Sequence, residues 1–406
     1  MMDTDSDAAW EPTAVLANLS MGRTYEDLPF AVEGGYYAIV GHEDLRLLNA
    51  CDRHPVIRRF LGRFKDAFGD CLSPAVVMRR SDAPAATRTV EASAGFRDAV
   101  AMSVIPLSRA RGTGRRTTYG VAYSDQFDFY PWMLTRDYHD LVAMTPAMLA
   151  IHEVRLFRGQ STPGLAPASL RDSDVDVPLL EELLRRWRRL HGGEAPPSHD
   201  DVALFRSLNM AFQASRMPGG QETSIYDIGR LIALWISAFE ILVHPGGNGR
   251  SGPSQVLDRL RSVQWLDPRI AELLPPTPGM PARRRTQVAE IAPDRLYRLL
   301  YDARNDFLHG NPLDELDLVV APSGIHIARV ASALYRLALT ATLDLRFDRP
   351  SPPLDDVAAW TAWAASRREL HEHQGRFESV VSAVFATPNA EHRENIGRRL
   401  PAPPSD

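Results

Sequence analysis

Cysteine is nearly absent from this 406-residue chain, which contains only Cys51 and Cys71. Two thiols cannot form a disulfide framework or a thiolate zinc site. The N-terminal residues are acidic and lack the apolar region of a signal peptide, and no stretch approaches the roughly 20 apolar residues of a membrane span. The composition therefore predicts a cytoplasmic protein with no membrane contact, no metal and no other cofactor.

Lysine is scarcer still and occurs once, at Lys65, although lysine and arginine together number 46. The formal net charge is −5, so no overall field would attract nucleic acid. The arginine excess accompanies many alanines and prolines, which is typical of a GC-rich coding sequence. Any contact with a phosphate would nevertheless have to be made by arginine.

One helix with two apolar stripes is predicted between Pro293 and Gly310. Proline suits the first turn, where its missing N–H would lack a partner, and glycine suits the left-handed residue just past the helix end. At 100° per residue, four residues share a narrow stripe typical of a helix that packs on a core. They are Leu296, Leu300, Ala303 and Phe307.

A second stripe on the same helix calls for another partner, since one core needs only one apolar stripe. It contains Tyr297, Tyr301, Arg304 and Leu308, with Asn305 and His309 on its edge. This partner could be a substrate, a helix of the same chain or a second copy of the protein.

The pattern Arg304-Asn305-x-x-x-His309, preceded by Leu-Tyr and followed by glycine, resembles the signature helix of the HEPN superfamily, most closely its Apea-like branch. An upstream helix that carries Glu240 is similar to the Glu-bearing helix of that branch. The resemblance covers roughly residues 225–345. It implies an all-α HEPN-like bundle, RNA cleavage without metal, and a homodimer whose motif helices pair.

The resemblance also implies a chemical role for each motif residue. RNA breaks when its 2′-hydroxyl attacks the adjacent phosphate, so a catalyst needs a proton shuttle and a cation. His309 would act as general acid and base. Arg304 would stabilise the transition state through its guanidinium fork. Asn305 would orient the phosphate or the imidazole, and Glu240 would hold Arg304 by an ion pair.

The spacing of Arg304 and His309 leaves several arrangements open, because five residues place them 140° apart on an ideal helix. Either the last turn unwinds at Gly310, or the arginine of one subunit meets the histidine of another. The second arrangement would make Tyr297, Tyr301 and Leu308 a dimer interface. In a simpler interpretation, Arg304 pairs with Glu240 and His309 caps the helix C-terminus against the helix dipole.

The predicted architecture is an α+β N-terminal region followed by an all-α HEPN-like bundle. Short runs at 36–40 and 75–78 predict strands. Phenylalanines recurring every four residues predict a helix ending near Gly69. The expected boundaries are an N-terminal region of no assigned family at 1–160, a linker at 161–177, the bundle at 178–350, and peripheral helices with a disordered tail at 351–406.

Two further groups of charged residues are interpreted as surface. Four arginines follow one another closely in the helix that begins near Pro178, and contact with RNA is the less favoured interpretation of them. The run His371-Glu372-His373 lacks the helical spacing of a metal site. The four arginines are Arg185, Arg186, Arg188 and Arg189.

The expected function is that of a metal-independent endoribonuclease that acts on RNA as a homodimer, with a protein regulator as a further candidate partner. An uncharacterised N-terminal module on such a domain suggests a bacterial effector of antiviral defence or stress, by analogy only. The alternative is a non-catalytic HEPN module that dimerises or binds a partner or a nucleotide.

Overall fold

The structure of the chain is a computed structural model. The residues that it describes are 9–23, 29–66, 68–113, 120–143, 150–151, 154–156, 160–161, 168–193, 196–218, 224–274, 289–353 and 355–386. Most of the acidic N-terminal stretch and all of the expected disordered tail at 401–404 lie outside them. No described helix is long and apolar enough to cross a lipid bilayer.

The chain forms two compact units, and each unit consists of several separate segments of the sequence. The first comprises Met1–Val104, Ala122–Val175 and Leu180–Phe205, and the second comprises the remaining segments up to Asp406. The predicted linker at 161–177 is not supported, because Ala168–Leu170 pairs in parallel with Leu19–Met21. The predicted start of the bundle at residue 178 also differs from this division, since Leu180–Phe205 belongs to the first unit.

The first unit contains a four-stranded antiparallel sheet of order β1-β6-β4-β3. Strands β4 and β6 confirm the two predicted runs, and all four residues of β4 are fully buried. Further short pairings join β7-β8-β9, β10-β5 and β11-β2. The strands are β1 (Trp10–Leu16), β2 (Leu19–Met21), β3 (Ala31–Glu33), β4 (Tyr37–Val40), β5 (Phe64–Lys65), β6 (Ala75–Arg80), β7 (Trp132–Leu134), β8 (Leu141–Ala143), β9 (Ala150–Ile151), β10 (Gln160–Ser161) and β11 (Ala168–Leu170).

The short helix α2 (Pro55–Leu61), which follows α1 (Leu45–Arg53), occupies only the first part of the helix predicted to end near Gly69. That prediction is wrong, because Phe64 lies in β5 and Phe68 is 93% exposed. The rings of Phe60 and Phe64 pack edge to face with centroids 5.4 Å apart. Their spacing reflects a shared core rather than one continuous helix.

Three longer helices follow, α3 (Val90–Thr113), α4 (Val177–His191) and α5 (His199–Ala214). In the first unit, the buried rings of Tyr37, Phe96 and Trp187 meet with centroids 5.5–5.8 Å apart. The indole N–H of Trp187 also donates to a backbone carbonyl of α3 at 2.8 Å. An aromatic core and this hydrogen bond therefore fix α4 against α3.

The arginines of α4 are largely committed to carboxylates of their own unit. Arg185 and Arg186 both donate to Glu182. Arg186 and Arg189 both donate to Asp201, whose side chain is fully buried. Three of the four arginines are thus ion-paired, which argues against a free phosphate-binding patch.

The second unit is a helical bundle around α6. Its start at Ile225 follows Ser224, whose backbone N–H donates to the side chain of Asp227. Trp235 and Phe239 of α6 are buried. The elements are α6 (Ile225–Leu242), α7 (Pro253–Arg261), α8 (Ala292–Leu308), β12 (Val319–Val320), β13 (Ile325–His326), α9 (Ala331–Thr342) and α10 (Val357–Phe385).

A buried ion cluster joins the residue before α4 to α9 and α10 within the second unit. Arg336 donates to Asp176 at 2.7 Å, and both side chains are 1% exposed. His373 of α10 lies 3.2 Å from the same carboxylate. The interpretation of His373 as a surface residue is therefore wrong. So is the prediction of purely peripheral C-terminal helices, because the second half of α10 lines the core.

The polar contacts continue along α10. Gln374 donates to Glu378 at 2.9 Å. Glu378 is 2% exposed and accepts the backbone N–H groups of Leu266 and Asp267 at 2.9 and 2.8 Å. Because buried polar groups need partners, this network fixes both the helix and the loop after α7.

We expect Asp176→Asn to destabilise the second unit by about 3–5 kcal/mol, because it leaves the buried guanidinium of Arg336 without its counter-charge. Although burial raises the pKa of Asp176, Arg336 and His373 lower it to about 2. The carboxylate therefore stabilises the wild-type fold above about pH 4, and this contribution is lost as the pH falls toward 2. Urea unfolding at a series of pH values should show this acid-dependent loss in the wild type and not in the variant.

Asp348→Asn provides the matched control, because Asp348 pairs with Arg346 at 3.0 Å while about half of its side chain is exposed. Exposed ion pairs contribute little, so this variant should unfold like the wild type. Equal free energies of unfolding for the two variants would contradict the role given to the buried cluster.

Candidate functional site

Helix α8 (Ala292–Leu308) has the predicted start and end. Pro293 lies in its first turn, and Gly310 follows with a φ of 71°, in the left-handed region that glycine favours. Three members of the predicted core stripe, Leu296, Leu300 and Ala303, are each 1% exposed. The local signals in the sequence therefore defined both the limits and the core face of this helix.

Tyr297 corrects the prediction for the second stripe. Its side chain is fully buried inside its own unit, where its ring packs edge to face on Phe239 with centroids 5.4 Å apart. It cannot contribute to a dimer interface, because Phe239 already covers it. Tyr301 is half-buried and Leu308 is 53% exposed, so these two keep an accessible surface.

Arg304 is a half-buried residue with free hydrogen-bonding capacity. Its Nη1 donates to Oδ1 of the neighbouring Asn305 at 2.9 Å, and its guanidinium lies 5.9 Å from the centre of the Tyr301 ring. Its Nε is buried and has no partner in the described part of the chain. The motif arginine and asparagine are thus brought together, and one edge of the guanidinium is unpaired.

Glu240 of α6 is the charged neighbour of this arginine. Burial raises the pKa of its carboxyl group, and the positive charge of Arg304 opposes the rise. The expected ion pair is not formed, since no contact within 4.0 Å joins Glu240 to Arg304 among the described ion pairs. The two groups interact across a longer distance.

His309 is exposed at the C-terminal end of α8, where its backbone N–H donates to the carbonyl of Asn305 at 2.9 Å. This bond continues the α-helical pattern, so the helix does not unwind before His309. The angular separation of Arg304 and His309 therefore persists. Among the described contacts, no hydrogen bond or ring contact joins the two side chains.

Gly229 of α6 sets the position of the end of α8. A Cβ atom placed on it would lie 2.2 Å from Cδ2 of Phe307, far inside van der Waals contact. The two helices thus cross where α6 has no side chain, one residue before Leu308. The sequence shows this glycine, but helix periodicity does not reveal which aromatic ring requires it.

The described residues contain no group of three or more histidine, cysteine, aspartate or glutamate side chains arranged to hold a metal ion. No protein-family model, curated protein or solved structure matches the chain. The chemistry of the site must therefore be interpreted from its own residues.

We expect Gly229→Ala to destabilise the protein by about 1–3 kcal/mol, because the added methyl group overlaps the Phe307 ring. In a helix with free space around the glycine, the same substitution would stabilise the protein by about 1 kcal/mol. Gly375→Ala in α10 is the matched control, since its nearest atom would lie 3.9 Å away. Denaturant unfolding measures both variants.

A smaller side chain at position 307 should compensate for the methyl group. Gly229→Ala combined with Phe307→Leu is therefore expected to recover part of the lost stability, as a non-additive double-mutant cycle. Stabilisation by Gly229→Ala equal to that by Gly375→Ala would contradict the close crossing of α6 and α8.

Proposed function

We propose that this protein is a metal-independent endoribonuclease of HEPN type. The proposal rests mainly on the half-buried Arg304, held by Asn305 on α8, and on the exposed imidazole of His309 at the end of the same helix. The motif Arg304-Asn305-x-x-x-His309 resembles the HEPN signature helix, and this resemblance supports a role for these residues in RNA cleavage.

In this mechanism, the 2′-hydroxyl of RNA attacks the adjacent phosphorus and the bond to the 5′-oxygen breaks, leaving a 2′,3′-cyclic phosphate and a 5′-hydroxyl. His309 takes the proton of the 2′-hydroxyl or delivers one to the leaving oxygen. Arg304 donates to the phosphoryl oxygens, on which negative charge increases. Asn305 holds one guanidinium nitrogen, which limits the orientations available to the fork.

Two copies of the chain are proposed to share the site. Arg304 and His309 point away from each other on one regular helix, so one phosphate is more easily reached by Arg304 of one protomer and the partner's His309. Tyr301 and Leu308 remain the candidate contact residues, because each keeps an accessible surface. RNA is the proposed substrate, and a protein regulator is a further candidate partner.

A non-catalytic binding module is the second candidate, and one observation favours it. Tyr297 is buried, so only two of the three proposed interface residues can contact a second copy of the chain. The support for a site shared between two copies is correspondingly weaker. In that function Arg304 would still bind an anionic group of a partner or nucleotide, while His309 would have no chemical role.

We expect His309→Ala to lower RNA cleavage at least a hundredfold, because general acid–base catalysis contributes about 10²–10⁴-fold. Arg304→Lys should also lower it, since lysine lacks the bidentate fork. Cleavage of total RNA and of a labelled oligonucleotide in the presence of EDTA measures both, together with end analysis for cyclic phosphate. His42→Ala is the control, since that side chain is 60% exposed and lies in the first unit.

If the purified wild type cleaves no RNA, the proposed ribonuclease activity is excluded and the binding module is favoured. Cleavage by His309→Ala at the wild-type rate would overturn the catalytic role of His309.

We expect a dimer of twice the 45.2 kDa chain mass in light scattering at micromolar concentration. Leu308→Glu should shift it to monomer, because a twofold contact would carry the new charge on both sides. Leu316→Glu is the control, as Leu316 is 71% exposed on a different segment. A monomeric wild type would remove the shared site.

A further inference from the structure

Two buried tyrosines flank the same phenylalanine in the second unit. The rings of Tyr297 and Tyr335 each lie 5.4 Å from the Phe239 ring, in edge-on geometry, and both side chains are fully buried. The two residues therefore make similar apolar contacts. Their hydroxyl groups can be compared directly.

The two hydroxyls differ in their hydrogen bonding. The Tyr335 hydroxyl lies 2.6 Å from Oγ of Ser207, which donates to the backbone carbonyl of Ala238 at 2.7 Å. The Tyr297 hydroxyl has no hydrogen-bond partner among the described residues. A buried hydroxyl without a partner costs free energy that a phenylalanine would avoid. Tyr297 thus carries a polar atom that packing does not explain.

The polar groups that could bind this hydroxyl belong to the candidate site. Arg304 follows Tyr297 by seven residues on α8, which is two helical turns and places both on one face. Glu240 is the neighbour of Phe239 on α6 and interacts electrostatically with Tyr297 and Arg304. Arg304 Nε also lacks a partner in the described part of the chain. Since Phe239 of α6 packs on Tyr297 of α8, the carboxylate acceptor and the two unpaired donors belong to one pair of packed helices.

We propose that Tyr297 is a positioning residue for Arg304. Its hydroxyl donates to the Glu240 carboxylate, which in turn accepts from the Nε edge of Arg304 and leaves the outer guanidinium nitrogens for a phosphate. Both contacts require the half-buried Glu240 side chain, which has three rotatable bonds, to rotate from the conformer of the structure, in which it forms no ion pair with Arg304. This inference rests on the proposed ribonuclease and adds a residue to it.

The arrangement has a consequence for pH dependence. The charged and titratable groups that interact electrostatically with Glu240 are Arg304 and Tyr297, both on α8. Removing the Tyr297 hydroxyl takes a donor from the ionised carboxylate, which makes protonation of Glu240 easier. The acid limb of the cleavage profile should therefore move to higher pH.

A double-mutant cycle tests the contact without using activity. Tyr297→Phe, Glu240→Gln and the double variant are compared with the wild type by urea unfolding at pH 7. We expect the two changes to be coupled by about a factor of ten in the folding equilibrium constant, as for a hydrogen bond to a charged group. Additive effects would overturn the inference.

Tyr335→Phe is the matched control in the same unit. It deletes a hydroxyl that has a partner, so it should lower stability, show no coupling to Glu240→Gln and leave cleavage unchanged. Tyr297→Phe should instead lower kcat about tenfold, keep KM within about twofold and shift the acid limb.

Coupling of Tyr297 to Glu240 in a wild type that cleaves no RNA would support the contact and overturn the ribonuclease. A Tyr297→Phe variant with wild-type kcat and pH profile would overturn the positioning role and leave the ribonuclease standing.

Discussion

The buried ion pair between Asp176 and Arg336 is the constraint on which the second unit depends. Two charges removed from water are stable only when their remaining hydrogen-bonding groups have partners. Arg336 also donates to Thr340 at 2.5 Å, and His373 contacts Asp176 from α10. The cluster therefore joins three separate parts of the chain, and through Gln374 and Glu378 of α10 it extends to the loop that follows α7.

Both ends of α8 are fixed by contacts of this bundle. At its start, Arg261 of α7 pairs with the buried Asp294 at 2.7 Å. At its end, Phe307 lies against Gly229 of α6. A helix held at both ends has a defined rotation, which decides which of its side chains face the core. That rotation buries Tyr297 and leaves Arg304 half-buried, with His309 exposed.

The sequence predicted the elements better than it predicted their neighbours. Local signals located α8 and its left-handed Gly310, because the capping of a helix depends on residues within one turn of its end. Periodicity identified apolar faces but not what covers them. For that reason periodicity assigns Tyr297 to an interface, although Phe239 of its own chain packs on it. His373 was missed for the same reason, since its partner Asp176 lies 197 residues away.

The exposed end of α8 limits where two copies could share a site. The inner part of the second stripe is closed by Phe239 at Tyr297, so a twofold axis through the middle of the helix would meet no apolar surface there. Leu308 and His309 are exposed at the C-terminal end, and Arg304 lies one turn before them. An axis near Leu308 is the one that would bring the partner's His309 toward Arg304 while burying an apolar side chain. A shared site on this bundle therefore requires contact at the end of α8 and not along its length.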